Sequence, residues 1–513
     1  MLTTSFHQLN LYSDYFNNSK ADLEPLLKNL FHFLETKIVD EDLLESLFTD
    51  FHSKLHPHWY QEVDTLQNFL IISYLSSQAS ESFKKNHLQL KCCLERTITY
   101  FGQINDQYRQ ALLALNFAIN SLPIPILVPQ QSLSGATFLQ SISNWLDRSV
   151  LAPGLQAELN ILWFILYNHT SDETLIQGVL KSSQWLLSSL DHKYYPLHSL
   201  YTKEPEAFLA CYTHGFTLLF SILTQVKTNS TSEQIQKISL ERLTSHLKGK
   251  VAPLEIAYYT LLTYIVTQFP ITKLAADTTL EILNSFCPTE NICDTELMLA
   301  GFSNPKLDIR TTLSGYNSGL GTILFGELGI INYGPQIFPL GKSTHFGIQA
   351  SPERLKEQAK LFVKPESEEF FLSGKIPFLS SPSDHILGSI KTGLWLNIEQ
   401  TFRHQELRIK ASFVGYKNLD KVYFVFYVKA DKAKISSISL APRSLDRYQS
   451  PYSESIIFSK GNQSFKLCLN NLDNSEMQVI PLAGNKAFWG GDFLVAYALH
   501  PYPKSYIWNI CSI

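Results

Sequence analysis

The stretch at residues 334–344, GPQIFPLGKST, decides between two folds. Read as a phosphate-binding loop, it would place a parallel α/β nucleotide fold here. Such a loop has four residues between its first glycine and Gly-Lys-Ser/Thr, surrounds the phosphates with backbone N–H groups and runs straight into a helix. Here six residues separate Gly334 from Gly341, and two of them, Pro335 and Pro339, have no N–H to offer. Residues 344–348 alternate as a strand does, and the next helix start is Ser351-Pro352-Glu353. The neighbouring GLGTILFG at 319–326 fails in the same way, because Leu324 stands where a dinucleotide fingerprint has its third glycine. Both stretches belong to a glycine-rich β region. No nucleotide, and no other cofactor, is expected.

Glycine extends that reading along the chain. Six of the 23 glycines fall in the first 300 residues, and nine crowd between Gly301 and Gly347. Glycine weakens helix interiors and serves turns and bulges in sheets, so the architecture is expected to change near residue 305. Before it, apolar residues recur at helical spacing: Leu23, Leu26, Leu27, Leu30, Phe31 and Leu34, then Leu66, Phe69, Leu70 and Tyr74. Further helical periodicity covers 82–101, 106–121, 135–150, 154–168, 172–190, 205–226, 232–247, 253–268 and 276–286. Breakers such as LPIPILVPQQ, Pro153-Gly154, KTNSTS and Pro270 separate these stretches. No fixed-length repeat stands out, which favours a closed helical ring or an irregular bundle over a solenoid. After the change, TGLWLNIEQTF, QELRIKASFVGY, KVYFVFYVKA, ESIIFSK, SFKLCLNNL and DFLVAYALHP are short runs rich in β-branched and aromatic residues, divided by turn residues. Charged and apolar residues alternate in LRIKASF, as in an antiparallel strand with one wet face. A β-sandwich follows.

With 513 residues and 45% apolar composition the chain can build two or three domains with ample core. Its net charge of −4 and lack of a basic block argue against a nucleic-acid binder. No run reaches the roughly 20 apolar residues that span a bilayer. The N-terminus MLTTSFHQLNLYSDYF has neither the basic start nor the apolar run of a cleaved signal, so a cytoplasmic location, or export without a cleaved signal, is expected. The seven cysteines are odd in number and form no CxxC pair, which fits reduced thiols and no zinc knuckle. HPHW at 56–59 reads as a helix start rather than a metal pair, and neither HExxH nor Gly-x-Ser-x-Gly occurs, so no metal site is expected.

Three places could carry chemistry. YNHTSDETL ends one predicted helix on Asn168-His169 just before the next begins. Residues 191–214 hold three histidines and four tyrosines, among them His198, Tyr201, Tyr212 and His214. GIINYGPQIFPLGKSTHFGI carries Lys342 and His345 in a turn after a strand. On these motifs and the helices-then-strands order, the chain resembles the toroid polysaccharide lyases of the heparinase II/III-like and alginate-lyase type. The resemblance implies an α/α toroid-like helical domain over 1–305, an antiparallel β-sandwich domain over 306–513, and a substrate cleft between them. It implies that Asn168, His169, Tyr212, His214 and His345 are catalytic, and that Tyr201, His198 and Lys342 bind substrate. The implied reaction is β-elimination on an acidic oligo- or polysaccharide. The proton α to a uronate carboxylate is acidic only if the enolate charge is stabilised, as an Asn amide or protonated His can do. A tyrosine of lowered pKa can then serve as base and acid. The turn departs from the family pattern, with Phe346 and Gly347 where a second His and an Asp are usual.

Ordinary structural roles compete at each place. Asn and His commonly end helices, and clustered tyrosines pack under loops. Three functional readings therefore stand. The first is a carbohydrate-directed lyase. The second is a non-catalytic binding or interaction protein, an effector or scaffold with a protein partner and the same architecture. The third is a glycoside hydrolase, for which Glu204 and Glu206 are the carboxylates by position.

Overall fold

A computed structural model describes residues 7–18, 24–104, 106–132, 135–137, 139–140, 149–150, 153–188, 190, 214–226, 230–249, 251–269, 291–294, 299–314, 320–336, 360–364, 370–380, 390–403, 405–415, 422–470, 475–482, 491–500 and 505–513. The chain forms two compact units. The first takes in 1–142, 152–186 and 207–286, and the second takes in 287–513 with 143–151 and 187–206.

The first unit is helical. Among the described residues its α-helices are α1 (His7–Asn18), α2 (Pro25–Thr36), α3 (Glu41–Lys54), α4 (Val63–Gln78), α5 (Lys84–Glu95), α6 (Gln107–Ile119), α7 (Pro153–Thr170), α8 (Glu173–Ser188), α9 (Phe216–Val226), α10 (Ser230–His246) and α11 (Pro253–Thr267). Local signals set several ends. Pro25 and Pro253 occupy first-turn positions, where a missing N–H costs nothing. Asp40 and Asp106 cap α3 and α6 by accepting from the N–H groups of Leu43 and Arg109. The Lys37 backbone turns left-handed to end α2.

Neighbours in sequence pack together: α2 on α3, α3 on α4, α6 on α7, and α9 on α10. A second set of contacts closes the series, because α11 returns to α1, α2 and α4, while α7 meets α9. The helical ring expected from the sequence is thus met as a toroid-like closure. Its middle helices are buried nearly all round. In α7, Leu159, Ile161, Leu162, Trp163, Phe164, Ile165 and Leu166 are all buried, which explains why no single apolar stripe marks this segment.

The periodicity over 135–150 is not met by helix at the described residues of that span. Leu139–Gln140 (β1) and Ser149–Val150 (β2) are short strands, and the residues between them lie outside the described set. Gly135 explains why no helix starts there. Its φ is 100°, and a Cβ added to it would stand 2.4 Å from the carbonyl oxygen of Lys181.

The second unit is an antiparallel β-sandwich. Its strands are β3 (Asn291–Asp294), β4 (Leu299–Asn304), β5 (Ile309–Ser314), β6 (Ile323–Phe325), β7 (Leu328–Gln336), β8 (Lys360–Lys364), β9 (Phe370–Ser380), β10 (Ile390–Arg403), β11 (Glu406–Gly415), β12 (Val422–Lys429), β13 (Lys432–Ile435), β14 (Ile438–Leu440), β15 (Tyr448–Ser450), β16 (Ile456–Lys460), β17 (Gln463–Leu469), β18 (Met477–Pro481), β19 (Phe493–Leu499) and β20 (Ser505–Ser512). Among the described residues they form two nine-stranded sheets, one ordered β14-β13-β16-β17-β20-β11-β10-β9-β8 and the other β15-β18-β19-β12-β7-β6-β5-β4-β3. Strand begins at Asn291, earlier than the expected change at 306. The reason is that β3 and β4 extend the second sheet at its edge, and only Gly301 of the glycines that marked the boundary lies in them.

The described part of the decisive stretch, residues 334–336, is strand. Gly334 pairs with Val425 and Pro335 with Phe424, so 334–336 end β7. β6 meets β7 only at 328–330, so among the described residues Pro335 has a strand partner on one side. That is the kind of position where a strand tolerates a residue without an N–H. Between the sheets, Trp508 stacks on Phe424 at 4.3 Å, Phe325 stacks on Phe465, and Gln400 of one sheet bonds both Thr311 and the Tyr333 hydroxyl of the other. Gly321 is needed for a close approach: a Cβ there would lie 2.1 Å from the Thr312 carbonyl oxygen.

Candidate functional site

Three helix ends of the first unit meet at one cluster of ionisable side chains. His214 lies with Gly215 in a wide π-type turn that leads into α9. Gly215 permits the approach to α7, since a Cβ there would already stand 3.3 Å from the Gly154 carbonyl oxygen. His246 is the last residue of α10, and Glu255 sits in the first turn of α11. A cation is favoured at a helix C-terminus and an anion at an N-terminus, so the turn between α10 and α11 places each group where its charge is tolerated.

Glu255 Oε1 lies 2.8 Å from His214 Nε2 and 2.9 Å from His246 Nε2. On its other side, His214 Nδ1 is 2.5 Å from the Tyr12 hydroxyl, which Gln8 Nε2 approaches to 2.6 Å. Proton accounting assigns the roles. A carboxylate only accepts, so each imidazole donates from Nε2 to Glu255, and the Tyr12 O–H donates to His214 Nδ1. The His214 ring stacks on Tyr259, with centroids 4.5 Å apart and planes within 8°. Tyr259 in turn donates to Glu158 at 2.5 Å, and Tyr108 donates to the other oxygen of that carboxylate. A polar chain therefore runs from α1 through α9, α10 and α11 to α7 and α6.

Burial grades this chain. Gln8, Tyr12, His214 and Glu158 have no exposure, whereas the His246 and Glu255 side chains keep 22% and 18%. The cluster thus opens to solvent at the His246–Glu255 edge. Burial would raise the Glu255 carboxyl, but hydrogen bonds from His214 and His246 outweigh it and the pKa falls below the usual carboxylate value. Burial lowers His214, against the pull of Glu255, so the ring is held neutral. Burial also drives the Tyr12 hydroxyl well above its ordinary value, which keeps it protonated.

Of the residues singled out from sequence, Asn168, His169 and His214 are described. Tyr212, His345, Tyr201, His198 and Lys342 lie outside the described residues, as do Glu204 and Glu206. Asn168 is half-buried in the last turn of α7 and donates back to the Phe164 carbonyl at 2.8 Å. His169 is exposed and meets the edge of Phe269. Gly215, the residue after His214, instead lies against Gly154 and Glu158, at the beginning of α7. Ten residues of helix separate Glu158 from Asn168, which is about 15 Å of rise. Asn168 and His169 are therefore not brought together with His214.

His246, Glu255, Tyr12 and Gln8 escaped the sequence reading. His246 and Glu255 stand 32 and 41 positions beyond His214, on separate helices, so no short motif joins them. Their usable signal was weak: a histidine closing a helix, a proline, then a glutamate in the next first turn. In HPHW, His56 pairs with Glu62 at 3.1 Å and a 3₁₀ turn follows at Trp59–Gln61. Among the described cysteines, Cys92, Cys93, Cys468 and Cys511 are free thiols.

No protein-family model and no curated protein matches the sequence. Solved structures give low-identity likenesses. The chain is similar to heparinase III with methylated lysines at 10% identity, over 88% of this chain and 67% of that one, with a TM-score of 0.46. A Paenibacillus xanthan lyase gives 9% identity over 99% of this chain and 57% of that one, with a TM-score of 0.45. Chondroitinase AC lyase gives 10% identity over 99% and 82%, with a TM-score of 0.39. The chain spans about two thirds of the length of the first and 57% of the second. No helix among the described residues is long and apolar enough to cross a membrane.

Proposed function

We propose that the chain is a carbohydrate-directed protein whose helical unit performs acid–base chemistry, with β-elimination on an acidic polysaccharide as the reaction. One observation carries this reading: the partly exposed His246–Glu255 pair is backed by the buried His214 and Tyr12. A carboxylate that holds an imidazole at 2.9 Å fixes its ring and tautomer, as a proton-transfer group requires. On this reading Tyr212, two residues before His214, is the base, and His246 is the group nearest solvent that handles the proton. Asn168 and His169, at the far end of α7, take no part in that proton transfer, while His345, Tyr201, His198 and Lys342 keep their proposed roles in substrate contact and charge stabilisation.

The burial of Tyr12 and His214 favours a second reading. Neither can touch a substrate, and together they clasp α1 to α9 and α11 as a structural polar link does. In that case the chain binds without catalysis, as an effector or scaffold.

The test is the ultraviolet absorbance of purified protein mixed with uronate polymers, because elimination creates a conjugated unsaturated uronate. The lyase reading expects a rise that Tyr212→Phe and His246→Ala abolish and that Lys85→Ala, an exposed position on α5, leaves alone. A flat trace across the polymers from folded protein would sink it and leave the binding reading.

A further inference from the structure

We propose that His214 Nε2, His246 Nε2 and Glu255 Oε1 form a binding site for a borderline divalent transition-metal ion of the zinc class. The three ligand atoms all lie within 4.8 Å of one another and come from three different elements. Two imidazoles and one carboxylate are the donor set that zinc and its neighbours prefer over calcium or magnesium, which take oxygen. Ligand atoms around a tetrahedral metal at normal bond lengths stand about 3.4 Å apart. The two nitrogens here are 2.8 and 2.9 Å from Oε1, so the ion enters by spreading each pair about half an ångström.

The surroundings suit a metal as well as the ligands do. Both imidazoles must offer lone pairs, and the burial of His214 already disfavours its cation. A metal-bound His usually donates its second N–H to an acceptor that orients the ring. Tyr12 Oη stands at that place, 2.5 Å from His214 Nδ1. Binding shifts the His214 proton from Nε2 to Nδ1, which then donates to Tyr12. The Tyr12 O–H in turn needs an acceptor. Gln8 supplies it: its Oε1 is buried with no hydrogen-bond partner, and turning the amide over sets that oxygen 2.6 Å from Tyr12 Oη. That spacing is usual for O–H···O and short for N–H···O. No net proton need leave His214. His246 changes tautomer at its half-exposed edge, where water fills the remaining coordination position, as it does in three-ligand zinc sites.

Sequence scans look for ligands four residues apart on one helix, and these are 32 and 9 apart. The site does not rest on the carbohydrate reading, because metal is detected without substrate. The full chain is treated with a chelator, dialysed and titrated with cobalt(II) alone, followed by displacement with zinc(II). The expected result is one equivalent with tetrahedral ligand-field bands, affinity lowered at least tenfold in His246→Ala and Glu255→Gln, and no change in His52→Ala. Tyr12→Phe is expected to weaken binding about 10–100-fold while leaving the ligands in place. His246→Cys keeps the site falsifiable if His246→Ala misfolds, since it should add a thiolate-to-cobalt charge-transfer band. Folded wild type that binds no cobalt, binding equal in wild type and His246→Ala, or no new band in His246→Cys would overturn the proposal.

Discussion

Tyr259 donates a 2.5 Å hydrogen bond to Glu158, and both residues are buried inside the helical unit. Tyr108 donates to the second oxygen of the same carboxyl group, so one side chain ties α6 and α11 to α7. Glu158→Ala would leave two buried hydroxyls without this acceptor, each worth about 1–3 kcal/mol. The expected loss is about 3 kcal/mol or more, read as a lower urea midpoint with unchanged slope. Glu158→Gln retains one acceptor oxygen and should lose roughly half as much.

Asp106 offers a sharper case. Its carboxylate accepts from the Arg109 backbone N–H at 3.3 Å and from the guanidinium at 2.9 Å, with both side chains almost wholly buried. Arg109 Nε also donates to the Gln61 carbonyl. Removing the carboxylate strips a helix cap and strands a buried cation. Asp106→Ala should cost about 3–5 kcal/mol, and Asp106→Asn distinctly less, because the amide oxygen still caps the helix. Thermal unfolding of the two variants side by side checks the order.

In the sandwich, Gly321→Ala should destabilise more than any exposed glycine substitution. Its φ of 145° and the Thr312 carbonyl oxygen, 2.1 Å from the new Cβ, leave no room without moving β5. Gly461→Ala serves as the comparison, with φ 54° but open space around the Cβ. Gly461→Ala is expected to cost about 1 kcal/mol and Gly321→Ala at least twice that.

Alkaline pH should loosen the same unit. Burial pushes the Tyr427 and Tyr497 hydroxyls far above their ordinary value of 10.0, with Gln336 partly opposing the shift at Tyr427. A raised folded pKa means that this stability is complete below about pH 10 and declines as pH rises toward the folded value. The Tyr497 hydroxyl is buried with no hydrogen-bond partner. Tyr497→Phe should therefore match or exceed wild type at neutral pH and flatten the alkaline decline. Denaturant midpoints from pH 8 to 11 test both halves; a steeper decline in the variant would refute it.

The sandwich was legible because its strands state their own pattern. Burial alternates along β17 and β20, and the KVYFVFYVKA and DFLVAYALHP runs become β12 and β19. The GPQ segment was legible through its glycine spacing and its prolines. By contrast, α1 buries Gln8 and Tyr12, which gives no apolar stripe to read. Where a helix was expected over 135–150, the described ends are short strands, and Gly135 meets a close approach from α8, a tertiary fact that periodicity does not carry. The cluster at Glu255 was hidden for a related reason. Its members are joined by the turn between two helices and by closure of the ring, and neither leaves a mark in local spacing.

That closure bears on how the protein is made. The contacts of α1 and α2 with α11 join residues between positions 7 and 36 to residues near 260. A ribosome adding about 5–20 residues per second exposes the N-terminal helices for some tens of seconds before their last partner emerges. During that interval Leu26, Leu27, Leu30 and Phe31 lack the cover of α11, though α3, α4 and Phe16 of α1 already lie against α2. Newborn chains should therefore depend on chaperones at the N-terminal segment, and a pause in translation before residue 253 should raise aggregation more than one placed after residue 267.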